Sequence, residues 1–192
     1  TLSSDVGILE TVRAVKAQVP EAFVLVSFAV LPDGYTREGV YCKDLVRRMT
    51  ESGCVDAVVL NCVSAPGAMR TLARGLAGGA LPLSVMPNAG YPVVTRTQVR
   101  YQGKPEYFAR ELSGLAAEGA VDGIEVYHPS NSPEDSAECL ALCKQYGLVA
   151  TAGTDFHGRN HKHPHPIGTC TAPDEAVAQL RAIAEKRKRE RT

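Results

Sequence analysis

The sequence predicts an α/β fold, an incomplete parallel (β/α) barrel of about five βα units preceded by an extra N-terminal helix. Two observations predict it. Helical periodicity alternates with short β-branched runs along the whole chain, and those runs are near-continuously apolar. Strands look like this when helices cover one face and a packed interior covers the other. Strand followed by helix, repeated, brings the strands into parallel pairing.

The elements follow in order. Residues 5–18 carry a helical pattern, 22–30 a strand, 37–51 a helix and 55–61 a strand. A helix near 66–77, a strand at 83–86 and a helix at 105–118 come next. The series closes with a strand at 123–127, a helix at 133–146, a strand at 148–152 and a last helix at 173–188. Boundary chemistry supports these limits. Ser132 supplies a capping hydroxyl before Pro133 at the first helical position, with Glu134 and Asp135 in the first turn. Gly147 stands where a left-handed residue ends that helix, and Gly53 and Gly119 do the same for two earlier ones. Five strands are fewer than the roughly eight that close such a barrel. Two sheet edges therefore need cover from the missing remainder of the barrel, from a second copy in a homo-oligomer, or from helices on both faces of an open sheet.

The 192 residues, with 44% hydrophobic and 22% charged content, suffice for one core. Twenty-one basic residues balance twenty-one acidic ones, so no global field draws the chain to nucleic acid or to an anionic membrane. The basic run from Glu185 to Arg191 reads as a solvated helix end whose cations suit the helix dipole. No apolar run reaches the roughly 18 residues that span a bilayer, and nothing near the start has the pattern of a signal peptide, so a cytoplasmic protein is expected. Six cysteines without a framework spacing read as reduced thiols or ligands. Cys139 and Cys143, four apart on one helix, read as core. The chain begins at Thr1 without a Met, as a piece of a longer product would.

Parallel β/α folds place their chemistry at the carboxyl ends of strands. The second predicted strand ends in Val58-Val59-Leu60-Asn61-Cys62, followed by Ser64-Ala65-Pro66-Gly67, and the third ends in Pro87-Asn88-Ala89-Gly90-Tyr91-Pro92. A thiol at a strand end can be a soft metal ligand, and an Asn-Ala-Gly turn lets backbone approach a substrate. In this pairing of strand ends, and in the element order of residues 1–118, the chain resembles the homocysteine S-methyltransferase family of zinc barrels. The resemblance implies that Cys62 is a zinc ligand and that Asn61 and Asn88 line the substrate pocket. It also implies that zinc holds the homocysteine thiol as the nucleophilic thiolate. The family takes two further zinc thiolates from a Gly-Gly-Cys-Cys-Gly turn, which this sequence lacks.

After Gly119 the residue vocabulary changes. All five histidines lie from position 128 to 165. The strand Gly123-Ile124-Glu125-Val126-Tyr127 ends on His128, and the next ends in Gly153-Thr154-Asp155-Phe156-His157-Gly158. In an extended segment residues two apart share a side, so Asp155 and His157 can reach one metal, and His128 can approach the same point. Carboxylate with imidazole suits zinc, manganese or iron. With these two motifs residues 120–192 resemble the C-terminal part of the PHP (polymerase and histidinol phosphatase) family of metal-dependent phosphoesterases. That resemblance implies metal ligation by His128, Asp155 and His157, with Asp155 and His157 at the catalytic centre. The family's opening His-x-His ligands have no counterpart, because no histidine precedes His128. The His161 to Pro166 stretch reads as an exposed loop.

The expected organisation is a methyltransferase-like part over 1–118 and a PHP-like part over 119–192 in one structural unit, a chimera of two barrel fragments. Cys62, His128, Asp155 and His157, all at strand ends, make a four-donor set for zinc. Three functions stay open: zinc-dependent methyl transfer to homocysteine, PHP-type phosphoester hydrolysis, and a folded chimera without catalysis. Either enzyme would take a small-molecule substrate.

Overall fold

The computed structural model describes the whole chain except residues 1, 3, 62, 63, 89–91, 97, 98, 102, 103, 130, 157, 161–164, 191 and 192. Helix α1 (Ile8–Gln18) leads into β1 (Leu25–Ala29), α2 (Cys42–Ser52), β2 (Ala57–Asn61), α3 (Pro66–Leu76) and β3 (Leu83–Met86). A hairpin of β4 (Pro92–Val94) and β5 (Val99–Tyr101) intervenes before α4 (Pro105–Ala117), β6 (Gly123–Tyr127), α5 (Pro133–Tyr146), β7 (Val149–Ala152) and α6 (Glu175–Glu190).

The pairing is parallel wherever a β/α unit joins the strands. The order β1-β2-β3 forms one sheet, with Leu25 opposite Ala57 and Val58 opposite Leu83. Strands β6 and β7 form a second parallel pair, with Gly123 opposite Val149. The two sheets meet at their amino ends, where the backbone N–H of Leu83 donates to Asp122 Oδ2 at 3.2 Å. Within each sheet the strands send their carboxyl ends to the same side. This is the incomplete parallel barrel the sequence predicts.

Helices cover one face of the three-stranded sheet. Val26, Phe28 and Val30 alternate along β1 and continue, with Val58 and Leu60, into a core shared with Ile8, Val12, Leu45, Met49 and Met69. Full burial of side chains such as Phe28 and Leu60 contributes about 1.5–3 kcal/mol each. Leu115, Ala120 and Val121 belong to the same cluster, and Leu148 packs against it, so the core continues across the change of vocabulary at Gly119.

Two sequence readings change. The helix expected from residue 37 starts at Cys42, because the segment before it turns back on itself, with Tyr35 and Tyr41 bridged antiparallel. The β4–β5 hairpin was not expected. Its Pro- and Tyr-containing sequence carries no strand-length apolar run, and its pairing is local. The first helix and the first strand each begin three residues later than expected, at Ile8 and Leu25, and the remaining elements lie where the sequence places them within one or two residues. Ser132 and Asp135 form a reciprocal capping box at the start of α5, and Gly147 ends that helix at φ 65°. Among the described residues no helix is long and apolar enough to cross a membrane. The described cysteines, Cys42, Cys54, Cys139, Cys143 and Cys170, are free thiols. Burial raises the Cys143 thiol above its ordinary value, in keeping with a core residue.

Gly123 opens β6 directly opposite Val149 of β7. A Cβ placed there would lie 2.7 Å from the carbonyl oxygen of Val149, a backbone atom that cannot move without opening the pair. Gly123→Ala is expected to cost about 1–3 kcal/mol, measurable as a lower urea midpoint. An unchanged midpoint would mean that the pair opens without cost.

Candidate functional site

At the carboxyl rim the first three strands are tied together by one residue. Ser64, fully buried after β2, donates its hydroxyl to the carbonyl of Val30 after β1 at 2.7 Å. Its own carbonyl accepts the N–H of Asn88, after β3, at 3.0 Å. Asn61 is the last residue of β2, in register with Ala29 on one side and Met86 on the other. Paired residues in a parallel sheet share a face. Asn61 therefore belongs to the face opposite Leu60, away from the covering helices. Asn61 and Asn88 are both half-buried. Cys62 lies outside the described residues.

The second part of the rim is formed by β6 and β7. Glu125, in the middle of β6, has its carboxylate against Gly153 just past β7, where an added Cβ would come within 2.7 Å of Glu125 Oε2. Burial raises the Glu125 carboxyl above its ordinary 4.5; the neighbouring His128 opposes that rise and Asp155 adds to it. So His128, after β6, and Asp155, after β7, share the electrostatic neighbourhood of one half-buried carboxyl. Asp155 is exposed and holds φ 50°, the left-handed region that Asp tolerates better than most side chains. Hydrogen bonds brace the strand pair: Thr151 Oγ1 donates to the carbonyl of Ile124 at 3.1 Å, and Gly153 N–H to that of Tyr127 at 3.1 Å. His157 lies outside the described residues.

The sequence reading passed over two residues of this rim. Glu125 had a signal, as an acid in the middle of an otherwise apolar strand. Ser64 had none, since a serine after a strand is ordinary and only the fold shows where its two hydrogen bonds go.

Because the folded protein holds the Glu125 proton more tightly than the unfolded chain does, this group favours folding below pH 4.5 and loses that contribution as pH rises through the higher folded value. Glu125→Gln removes the titration and nearly keeps the shape. The variant is expected to gain melting temperature relative to the parent as pH increases from 4.5 toward neutrality. Melting curves that stay parallel over this range would place the carboxyl in water.

The described donors can be tested against a metal. A zinc centre needs at least three protein ligands within bonding reach. Among the described residues no three His, Cys, Asp or Glu side chains are grouped to hold a metal ion. The described part of the rim therefore does not by itself fit zinc, and the donors that bear on the question are Cys62 and His157.

Comparison with known proteins then bears on the carboxyl rim and on the strand order beneath it. The family model described as homocysteine S-methyltransferase matches residues 4–124, more than half of the chain. The chain belongs to the homocysteine S-methyltransferase family. The match runs from α1 into β6 and includes Asn61, Ser64 and Asn88.

Two similar proteins share the family's chemistry by name. Methionine synthase of Mycobacterium leprae is 42% identical over 65 residues, which are 33% of this chain and 5% of that protein. Methionine synthase of Mycobacterium tuberculosis is 42% identical over 65 residues, 33% of this chain and 6% of that protein. A third relative belongs to the other resemblance. The phosphoribosyl 1,2-cyclic phosphate 1,2-diphosphodiesterase of Eggerthella lenta is 42% identical over 48 residues, 25% of this chain and 18% of that protein. This homocysteine S-methyltransferase family member thus spans less than a fifth of the length of each of these relatives.

Proposed function

We propose that this chain forms the substrate-holding part of a methyl-transfer site for homocysteine. The observation that carries the proposal is the junction at Ser64, three residues after Asn61, which accepts from Asn88 N–H within the stretch matched by the homocysteine S-methyltransferase family. Asparagine both donates and accepts hydrogen bonds without charge, so two such amides suit the ammonium and carboxylate ends of an amino acid. In the reaction the homocysteine thiol loses its proton, its sulfur bonds to the methyl carbon, and the bond from that carbon to the donor breaks. The rim residues bind and orient the thiol, and most of the benefit of a held nucleophile comes from that placement. Zinc enters the proposal only through Cys62, with His128, Asp155 and His157 as the remaining donors of a four-ligand set; manganese and iron are alternatives at the carboxylate and imidazole end. The open sheet edges are proposed to be covered by further barrel units or by a second copy of the chain.

The proposal is tested by titrating the protein with L-homocysteine in zinc-supplemented buffer by calorimetry. Saturable binding is expected, weakened about tenfold or more in Asn88→Ala, the scale of losing hydrogen bonds to a charged group. No heat of binding from the parent protein would overturn the reading and leave phosphoester hydrolysis or a folded chimera without catalysis.

One observation favours a second reading. The match to the Eggerthella lenta phosphodiesterase, together with the electrostatic influence of His128 and Asp155 on Glu125, supports metal-dependent phosphoester hydrolysis. This reading requires phosphate release stimulated by manganese or zinc and abolished in Asp155→Ala.

A further inference from the structure

We infer that Ser64 is the positioning residue of the substrate rim, a contact that holds the loops after β1, β2 and β3 in one arrangement. The inference rests on the methyl-transfer reading and adds to it a residue that binds no substrate itself.

The geometry is specific. Ser64 lies two residues beyond Cys62 and three beyond Asn61, it is fully buried, and both its polar groups are engaged across the rim. The hydroxyl reaches back to Val30 and the carbonyl forward to Asn88, so Ser64 joins the segments that follow the three strands. The hydrogen bond from the hydroxyl has the ordinary length of 2.7 Å and is buried, so no water replaces it when the hydroxyl is removed. In Ser64→Ala the Val30 carbonyl loses its side-chain donor, and the β2–α3 loop loses its anchor to β1. Asn61 and Asn88 keep their chemistry, but their spacing is no longer held.

A second tie keeps the far end of the same loop in place. Gly67 N–H, in the first turn of α3, donates to the Tyr107 hydroxyl at 3.1 Å. The loop from Asn61 to Gly67 is thus held at Ser64 from the strand side and at Gly67 from the helix side. Of the two, Ser64 is the tie nearer to the substrate-bearing residues. The prediction therefore concerns affinity for substrate as well as stability.

The test compares L-homocysteine binding, by calorimetry in zinc-supplemented buffer well below the melting temperature, in four proteins: the parent, Ser64→Ala, Ser64→Cys and Val26→Ala. Val26 is buried on the helix-covered face of β1, so its truncation destabilises the fold without touching the rim. Ser64→Ala is expected to bind about tenfold or more weakly, the scale seen when a residue supporting a ligand-bearing group is lost. Ser64→Cys, which keeps a weak donor of similar shape, is expected to recover part of the loss. Val26→Ala is expected to bind like the parent. Parent-like affinity in Ser64→Ala overturns the inference and leaves the methyl-transfer reading intact. Equal weakening in Val26→Ala also overturns it, since general destabilisation then explains the effect. Absence of binding in the parent overturns the reading and the inference together.

Discussion

Asp122→Ala is expected to lower the unfolding free energy by about 3 kcal/mol, in a single cooperative transition. Asp122 sits just before β6 with its side chain 10% exposed. One of its oxygens accepts the N–H of Leu83, at the start of β3, and both accept from Arg187 of α6, at 2.7 and 2.5 Å. The side chain of Arg187 is itself only 20% exposed. Removing the carboxylate strands a largely buried guanidinium and an N–H donor together, and an uncompensated buried charge is among the costliest point changes.

The same measurement tests the proposed organisation of the chain. Leu83 and Asp122 lie within the stretch matched by the methyltransferase family, whereas Arg187 lies in the stretch that resembles the phosphoesterases. Arg181 of α6 also donates to the carbonyl of Glu21 and lies over the ring of Phe23, 6.0 Å from its centroid. If the two stretches fold as one unit, fluorescence and circular dichroism should report one coincident urea transition that moves to lower denaturant in the variant. Two separate transitions, or a midpoint that does not move, would show that the stretches fold independently of this contact.

Cys62→Ala is expected to have the largest effect on ligand binding, at least a tenfold loss of zinc affinity relative to the parent. Structural thiolates dominate affinity for zinc, and a set reduced to one or two imidazoles and a carboxylate holds the ion far less firmly. Competition with a chromogenic chelator at pH 7 measures the effect, with His128→Ala as the companion variant. The four-donor proposal requires both variants to lose affinity. Parent-like zinc binding in Cys62→Ala would remove the thiol from the site and leave only the β6–β7 rim as a place for metal. Because ligands must shed their protons to bind, the parent's zinc affinity is also expected to fall as pH drops below the ordinary imidazole value of about 6.5.

Much of the fold was legible in the sequence because its signals are local. The apolar runs of β2 and β6, the cap at Ser132 and the glycine after α5 act through neighbouring residues, so their meaning does not depend on the rest of the chain. The hairpin of β4 and β5 escaped notice because short polar-flanked strands leave no periodic trace. The site divides along the same line. Asn61, Asn88, His128 and Asp155 could be picked out by their places at strand ends, since that placement follows from alternation of strand and helix.

The amino-acid sequence by itself determined the order of strands and helices, the parallel sense of their pairing and the family to which residues 4–124 belong, because these follow from periodicity, capping and motif spacing. Only the tertiary structure decided that Ser64 joins three loops, that Asp122 joins β3, β6 and α6, and that the Glu125 carboxylate packs against Gly153. The reason is physical. A serine hydroxyl or a carboxylate has many partners available to it, and the one it takes is set by which distant segments the packed core brings within hydrogen-bonding distance.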